Sequence, residues 1–178
     1  VSGSLAEPRV HFDAPAAARV PREMERFFDW MNAPSVLDPV LRAAVAHFWF
    51  VTIHPFDDGN GRIARAIADL ALARADGRRE RFYSMSAQIE AERGEYYRQL
   101  ERAQRGGVDI TAWIAWFLGC LDRSFSRAEL AMDRVLRDGR IWELVNSHGA
   151  NERQRLVLTR MLGDWEGWLT TSKYATLA

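Results

Sequence analysis

Cysteine is almost missing from this chain: its 178 residues hold one, Cys120. An intrachain disulfide is therefore excluded, and a reducing setting, the cytoplasm, is expected. Charge of one sign is not in excess either, since 24 Lys and Arg balance 24 Asp and Glu. That excludes a surface built to bind polyanions at large, though not a local phosphate site. No apolar run reaches the roughly 20 residues that cross a bilayer, and no signal-peptide pattern opens the sequence, so no membrane partner is expected. Cys/His spacings and the His-Glu-x-x-His pattern of zinc sites are absent, which leaves His47 as a core histidine. Internal repeats and low-complexity segments are lacking too. What is present is ordinary for one globular core plus a fragment, with 48% hydrophobic and 27% charged residues. The sequence starts at Val1 without a methionine, and the native N-terminus is expected upstream.

Against that background one stretch is dense with chemistry: His54-Pro55-Phe56-Asp57-Asp58-Gly59-Asn60-Gly61-Arg62-Ile63-Ala64-Arg65. An apolar run, Ala43 to Ile53, leads into it and an alanine-rich helical pattern follows. Asp58-Gly59-Asn60-Gly61 tolerates positive φ, so successive N–H groups can converge on an anion. Asn60 is expected to cap a helix from Gly61, adding that helix's free N–H groups and positive dipole end. Arg62 and Arg65 then share a face of the first turn, where cations oppose the dipole unless an anion is bound. A polyphosphate fits. Pro55 ends the preceding helix at His54, whose imidazole can take a proton from an incoming hydroxyl. Asp58 suffices for Mg²⁺, which draws the rest of its shell from water and phosphates. Phe56 is expected to anchor the loop in the core. The plainer reading is an interhelix turn with a capping histidine and solvated arginines.

The stretch resembles the signature of the Fic (Fido) family, H-P-F-x-(D/E)-G-N-G-R-x-x-R, at every specified position, and the resemblance extends from about Val1 to Leu136. It implies an all-α fold, a Fic-type helical core with a small N-terminal β-hairpin flap. It implies transfer of AMP from Mg-ATP to a Ser, Thr or Tyr hydroxyl of an unidentified protein, with His54 as general base. Phosphate binding then falls to Pro55, Phe56, Asp57, Gly59, Asn60, Gly61, Arg62 and Arg65, and Mg²⁺ to Asp58. The family's adenine wall maps onto Tyr97, Leu100 and Gln104. Its target-binding flap maps onto residues 1–16, with Val10 and His11 at the pairing edge. Removal of AMP, or transfer of another nucleotide, would use the same residues. A nucleotide-sensing DNA-binding regulator is the alternative of a different class, favoured slightly by Arg78, Arg79 and Arg81. Many members carry an inhibitory helix, (S/T)-x-x-x-E-(G/N), which is not matched here: Ser86 to Glu90 is followed by Ala91. The brake is expected upstream of Val1, leaving this fragment derepressed.

The rest of the chain reads as helices. Pro21 opens one whose Met24, Phe27, Phe28 and Met31 have core spacing, ended by Asn32-Ala33-Pro34. Asp38 and Pro39 start a buried helix running to about Ile53. Another spans about Gly61 to Ala75, with Ile63, Ile67 and Leu70 inward. Residues 84–105 read as one helix, and Asp109 caps a long one that continues toward Asn146. The helical core is thus expected over 17–147. Ser147-His148-Gly149-Ala150 reads as a linker, and residues 148–178 as the first two helices of a truncated winged helix-turn-helix, or simply two packing helices. A homodimer and, for a longer C-terminal segment, DNA complete the partner expectations.

Overall fold

A computed structural model describes residues 14–77, 81–163, 165 and 167–177. The described residues form eight α-helices and no strand: α1 Val20–Asn32, α2 Pro39–Ile53, α3 Asn60–Asp76, α4 Met85–Ala91, α5 Arg93–Arg105, α6 Thr111–Ser147, α7 Glu152–Leu162 and α8 Thr171–Leu177. The all-α expectation is met. The hairpin expected over 1–16 is not observed: Val10 and His11 lie outside the described residues, and 14–16 have no regular structure. Arg78 and Arg79 lie outside them as well. The chain divides into two compact units, residues 1–128 and 129–178.

The first unit is built around α2. Asp38 starts it by accepting the N–H groups of Val40 and Leu41 at 2.8 and 3.3 Å, with Pro39 in the first turn. Ala43, Ala44, Ala46, His47, Phe50, Val51 and Ile53 are all buried, so the helix is apolar nearly all round because it is surrounded. Its most extensive partner is α3. There the inward face differs from expectation. Ala64, Ala68, Ala71 and Leu72 are buried, whereas Ile63 and Leu70 are exposed. A stripe of alanines lets two backbones approach closely, and closeness outweighs the larger side chains' gain from burial. In α1, likewise, Phe27 is buried but Phe28 is half exposed, and Trp30 packs on Trp49 with ring centroids 5.5 Å apart.

Trp113, Trp116, Phe117, Cys120 and Leu121 of α6 close the core with Met85, Ile89, Tyr96, Leu100 and Ala103. The buried Trp113 indole donates to the Ala44 carbonyl at 2.9 Å. Burial pushes the Cys120 thiol up to about 12, so it is an inert core group. The single helix expected over 84–105 is interrupted at Glu92. That carboxylate receives two bonds of 2.6 Å from Arg123 of α6 and one from Gln88, which hold it well below the usual carboxylate range. A bidentate pairing across helices has overridden local propensity.

His47 is wholly buried against Trp113 and Tyr96. Burial, helped by the charge of Arg65, lowers its pKa from 6.5 to about 3. Below pH 6.5 the unfolded chain therefore takes up a proton that the folded chain refuses. The stability this group contributes is full above 6.5 and is lost as pH falls toward 3. We expect the unfolding free energy to drop by about 1.4 kcal/mol per pH unit from this group alone. Denaturant melts across the upper part of that window check it, and His47→Gln should remove that share of the slope.

In the second unit, α7 opens with a capping box in which Asn151 and Gln154 each accept the other's backbone N–H at 2.9 Å. Val157 is its buried residue, and Arg134 grips the carbonyls of Leu162 and Gly163 at 3.0 and 3.1 Å. Thr170 accepts the Lys173 N–H at the start of α8. No described helix is long and apolar enough to cross a membrane.

Candidate active site

The site begins where α2 stops. His54 is its C-cap, with φ 51° and ψ 55°, and is the one non-glycine residue of positive φ among those described. Its N–H still bonds the Phe50 carbonyl at 3.1 Å, and the ring swings out, exposed. Nδ1 lies 3.3 Å from the Val51 carbonyl. A carbonyl only accepts, so the proton sits on Nδ1 and the Nε2 lone pair faces outward, free to act as a base.

The loop beyond is held by Asn60, in a way the sequence did not disclose. Its side chain does not cap α3. Its Oδ1 accepts the Phe56 N–H at 3.1 Å and its Nδ2 donates to the Phe56 carbonyl, so one buried amide closes the loop 56–60 on itself. Gly59 takes the cap position instead, at φ 84°, where any side chain would be strained. The open first turn of α3 follows at once, with N–H groups that no helical carbonyl can reach. Phe56 does not plug the core as expected. It is half exposed, with its ring 6.4 Å from Phe50, because the Asn60 bonds fix its backbone and make a buried anchor unnecessary.

Arg62 pairs with Asp58 at 3.0 Å, both side chains largely exposed. Such a pair contributes little to stability and leaves both groups available. Arg65, one turn on and half-buried, has no carboxylate partner among the described residues. Two cations in the first turns of a helix, one unneutralised, make a site for an anion.

These groups line one cavity of about 370 Å³. His54, Asp57, Asp58, Gly59, Asn60, Gly61, Arg62 and Arg65 form one side; Tyr97 and Leu100 of α5 stand on another. Pro55, Phe56 and Gln104 are not on the wall, and the Gln104 amide instead donates to the Thr52 hydroxyl at 3.3 Å. Val51, Ile89, Glu90, Arg93 and Tyr96 line it without having been singled out. Arg93 lies 5.8 Å over the exposed Tyr97 ring and 3.6 Å from Glu90. Only the gathering of α2, α4 and α5 around one cavity reveals these residues; their spacing alone marks helices.

A metal has no ready cage here, since no cluster of three or more His, Cys, Asp or Glu occurs among the described residues. The exposed Asp58 carboxylate beside an anion cradle, however, fits Mg²⁺ that arrives with phosphate oxygens.

Comparison with known proteins places this geometry in context. Residues 4–72 match the Fic/DOC family. The chain is 33% identical over 145 residues to "Protein adenylyltransferase Fic" of Nematostella vectensis, covering 79% of this chain and 32% of that one. It is 34% identical over 126 residues to "Protein adenylyltransferase fic-1" of Caenorhabditis elegans, covering 67% and 23%. A crystal structure of a Fic family protein from Desulfovibrio desulfuricans G20 superposes with a TM-score of 0.56 at 25% identity, over 92% of this chain and 44% of the other. The chain thus spans a third or less of the two curated relatives' length.

Proposed function

We propose, for a chain that belongs to the Fic/DOC family, that it transfers AMP from Mg-ATP to a hydroxyl of another protein. The observation that carries the reading is the meeting, in one cavity, of an imidazole nitrogen on His54 and the open first turn of α3. The names of the Nematostella and Caenorhabditis relatives support it.

In this reading the N–H groups of the first turn of α3 receive the phosphates, and Arg62 and Arg65 neutralise their outer charge. Asp58 would hold Mg²⁺, releasing Arg62 to the nucleotide; when bound, the ion supplies charge stabilisation on the phosphate oxygens. Tyr97 offers an exposed ring for adenine beside Leu100. His54 Nε2 takes the proton of a Ser, Thr or Tyr hydroxyl, whose oxygen bonds to the α-phosphorus as the bond to the bridging oxygen breaks. Pyrophosphate departs with that electron pair, and AMP stays on the target. The free, buried thiol of Cys120 supports a reducing compartment, the cytoplasm. We keep α7 and α8 as the start of a winged helix-turn-helix, on the strength of their capped helices alone.

Two labels separate the outcomes. Incubated with a cell lysate, the wild type should leave more label on protein from α-³²P-ATP than His54→Ala does, and no more than that variant from γ-³²P-ATP. A His54-dependent gain of the γ label would replace nucleotidyl by phosphoryl transfer. Nucleotide binding with no His54-dependent gain of either label would favour the regulatory reading.

A further inference from the structure

Beneath the cradle lies a pair of side chains that the transfer step above does not use. His47 Nε2 and the Tyr96 hydroxyl are 3.0 Å apart, one on α2 and the other on α5, and both residues are buried. His47 Nδ1 is buried with no hydrogen-bond partner among the described residues. Tyr96 nevertheless reaches the cavity. Its hydroxyl lies 4.0 Å from where a Cβ on Gly61 would stand, and Arg65 Nη1 lies 3.9 Å from the same point. The phenol oxygen, the guanidinium and the first turn of α3 therefore converge on one region.

We propose that Tyr96 is a positioning residue for the bound anion, donating its hydroxyl proton to a phosphate oxygen while His47 Nε2–H donates to the phenol oxygen and sets its direction. The inference rests on the nucleotide-cradle reading and deepens it.

The tautomer decides the direction of the bond. A neutral imidazole carries one N–H. Burial keeps His47 neutral and holds Tyr96 as the phenol, its pKa raised above the usual value. Were the phenol to donate to Nε2, the imidazole proton would sit on Nδ1, leaving a buried N–H with nothing to bond. With the proton on Nε2, what goes unmatched at Nδ1 is a lone pair, the lesser loss. That arrangement leaves the Tyr96 proton unspent. The cavity is where it can go, beside Arg65, whose positive field favours an anion there. A Cβ at 61 would stand in ordinary van der Waals contact with both the hydroxyl and the guanidinium, so all three border the same space.

The test is calorimetric binding of Mg-ATP, inorganic tripolyphosphate and adenosine to the wild type and to Tyr96→Phe, which keeps the ring and its packing. Loss of a hydrogen bond to a charged group should weaken both phosphate ligands roughly ten- to hundredfold and leave adenosine unchanged. Equal weakening of adenosine would mean a general collapse of the pocket and overturn the assignment, as would unchanged affinity for tripolyphosphate. If the wild type binds neither phosphate ligand, the cradle itself is wrong and this inference goes with it. Independently of any variant, ¹⁵N imidazole shifts of the wild type should show His47 protonated at Nε2 and bare at Nδ1; the opposite tautomer rules the proposal out.

Discussion

Replacing His54 with alanine should lower AMP transfer by roughly 10²–10⁴-fold, the usual contribution of a positioned general base, while Mg-ATP binds as before. The two effects separate because of where the residue sits. His54 ends α2, exposed, and among the described residues its one side-chain bond is to the Val51 carbonyl on the preceding turn. The elements proposed to bind phosphate belong to the other side of the loop, held by Asn60 and Gly59. Losing the imidazole therefore removes the acceptor for the incoming hydroxyl's proton without touching the anion site. Label retained on target protein, normalised to ATP affinity, measures it. A variant that keeps more than about a tenth of the wild-type rate would be too active for the usual general-base effect, and His54 would lose that role.

Asn60→Ala should harm both stability and binding. The amide is 3% exposed and satisfies both the N–H and the carbonyl of Phe56. Removing it leaves two backbone groups short of partners in a half-buried loop, at about 1–3 kcal/mol for the first unsatisfied group. The loop then loses the closure that sets Gly59 at positive φ, and the N–H groups of α3 no longer converge. Nucleotide affinity should fall at least tenfold, and denaturant midpoints should drop with it. Asn60→Asp separates the parts. It retains an acceptor for the Phe56 N–H, yet sets a carboxylate against the Phe56 carbonyl and inside an anion site, so binding should suffer more than folding. If Asn60→Ala binds Mg-ATP normally, the loop is held by something other than this amide.

Much of this was legible from the chain because local signals and tertiary demands agreed. Asp38-Pro39 marks a helix start where one occurs, since capping is a matter of a few adjacent atoms. The cluster His54 to Arg65 likewise declared itself, being polar, glycine-bracketed and flanked by apolar helices. What was not legible depends on distant partners. Asn60 reads as a cap by residue type, and only the position of Phe56 makes it a loop clasp. Ile63 and Leu70 read as core by hydrophobicity, but the tight approach of α2 and α3 favours alanine. The interruption at Glu92 requires Arg123, 31 residues away. His47 reads as an ordinary core residue, and its meeting with Tyr96 is visible only once α2 and α5 are packed. The flap lies where the structure is silent on Val10 and His11.

One backbone angle carries a last implication. At φ 51° an L-residue is crowded by its own Cβ, at a cost of about 1–2 kcal/mol relative to the right-handed region. Glycine would relieve it, and a protein selected only to stay folded would carry glycine at position 54. The chain keeps an imidazole there and accepts a less comfortable hinge, so part of its thermodynamic reserve is given up to hold one ring nitrogen in place.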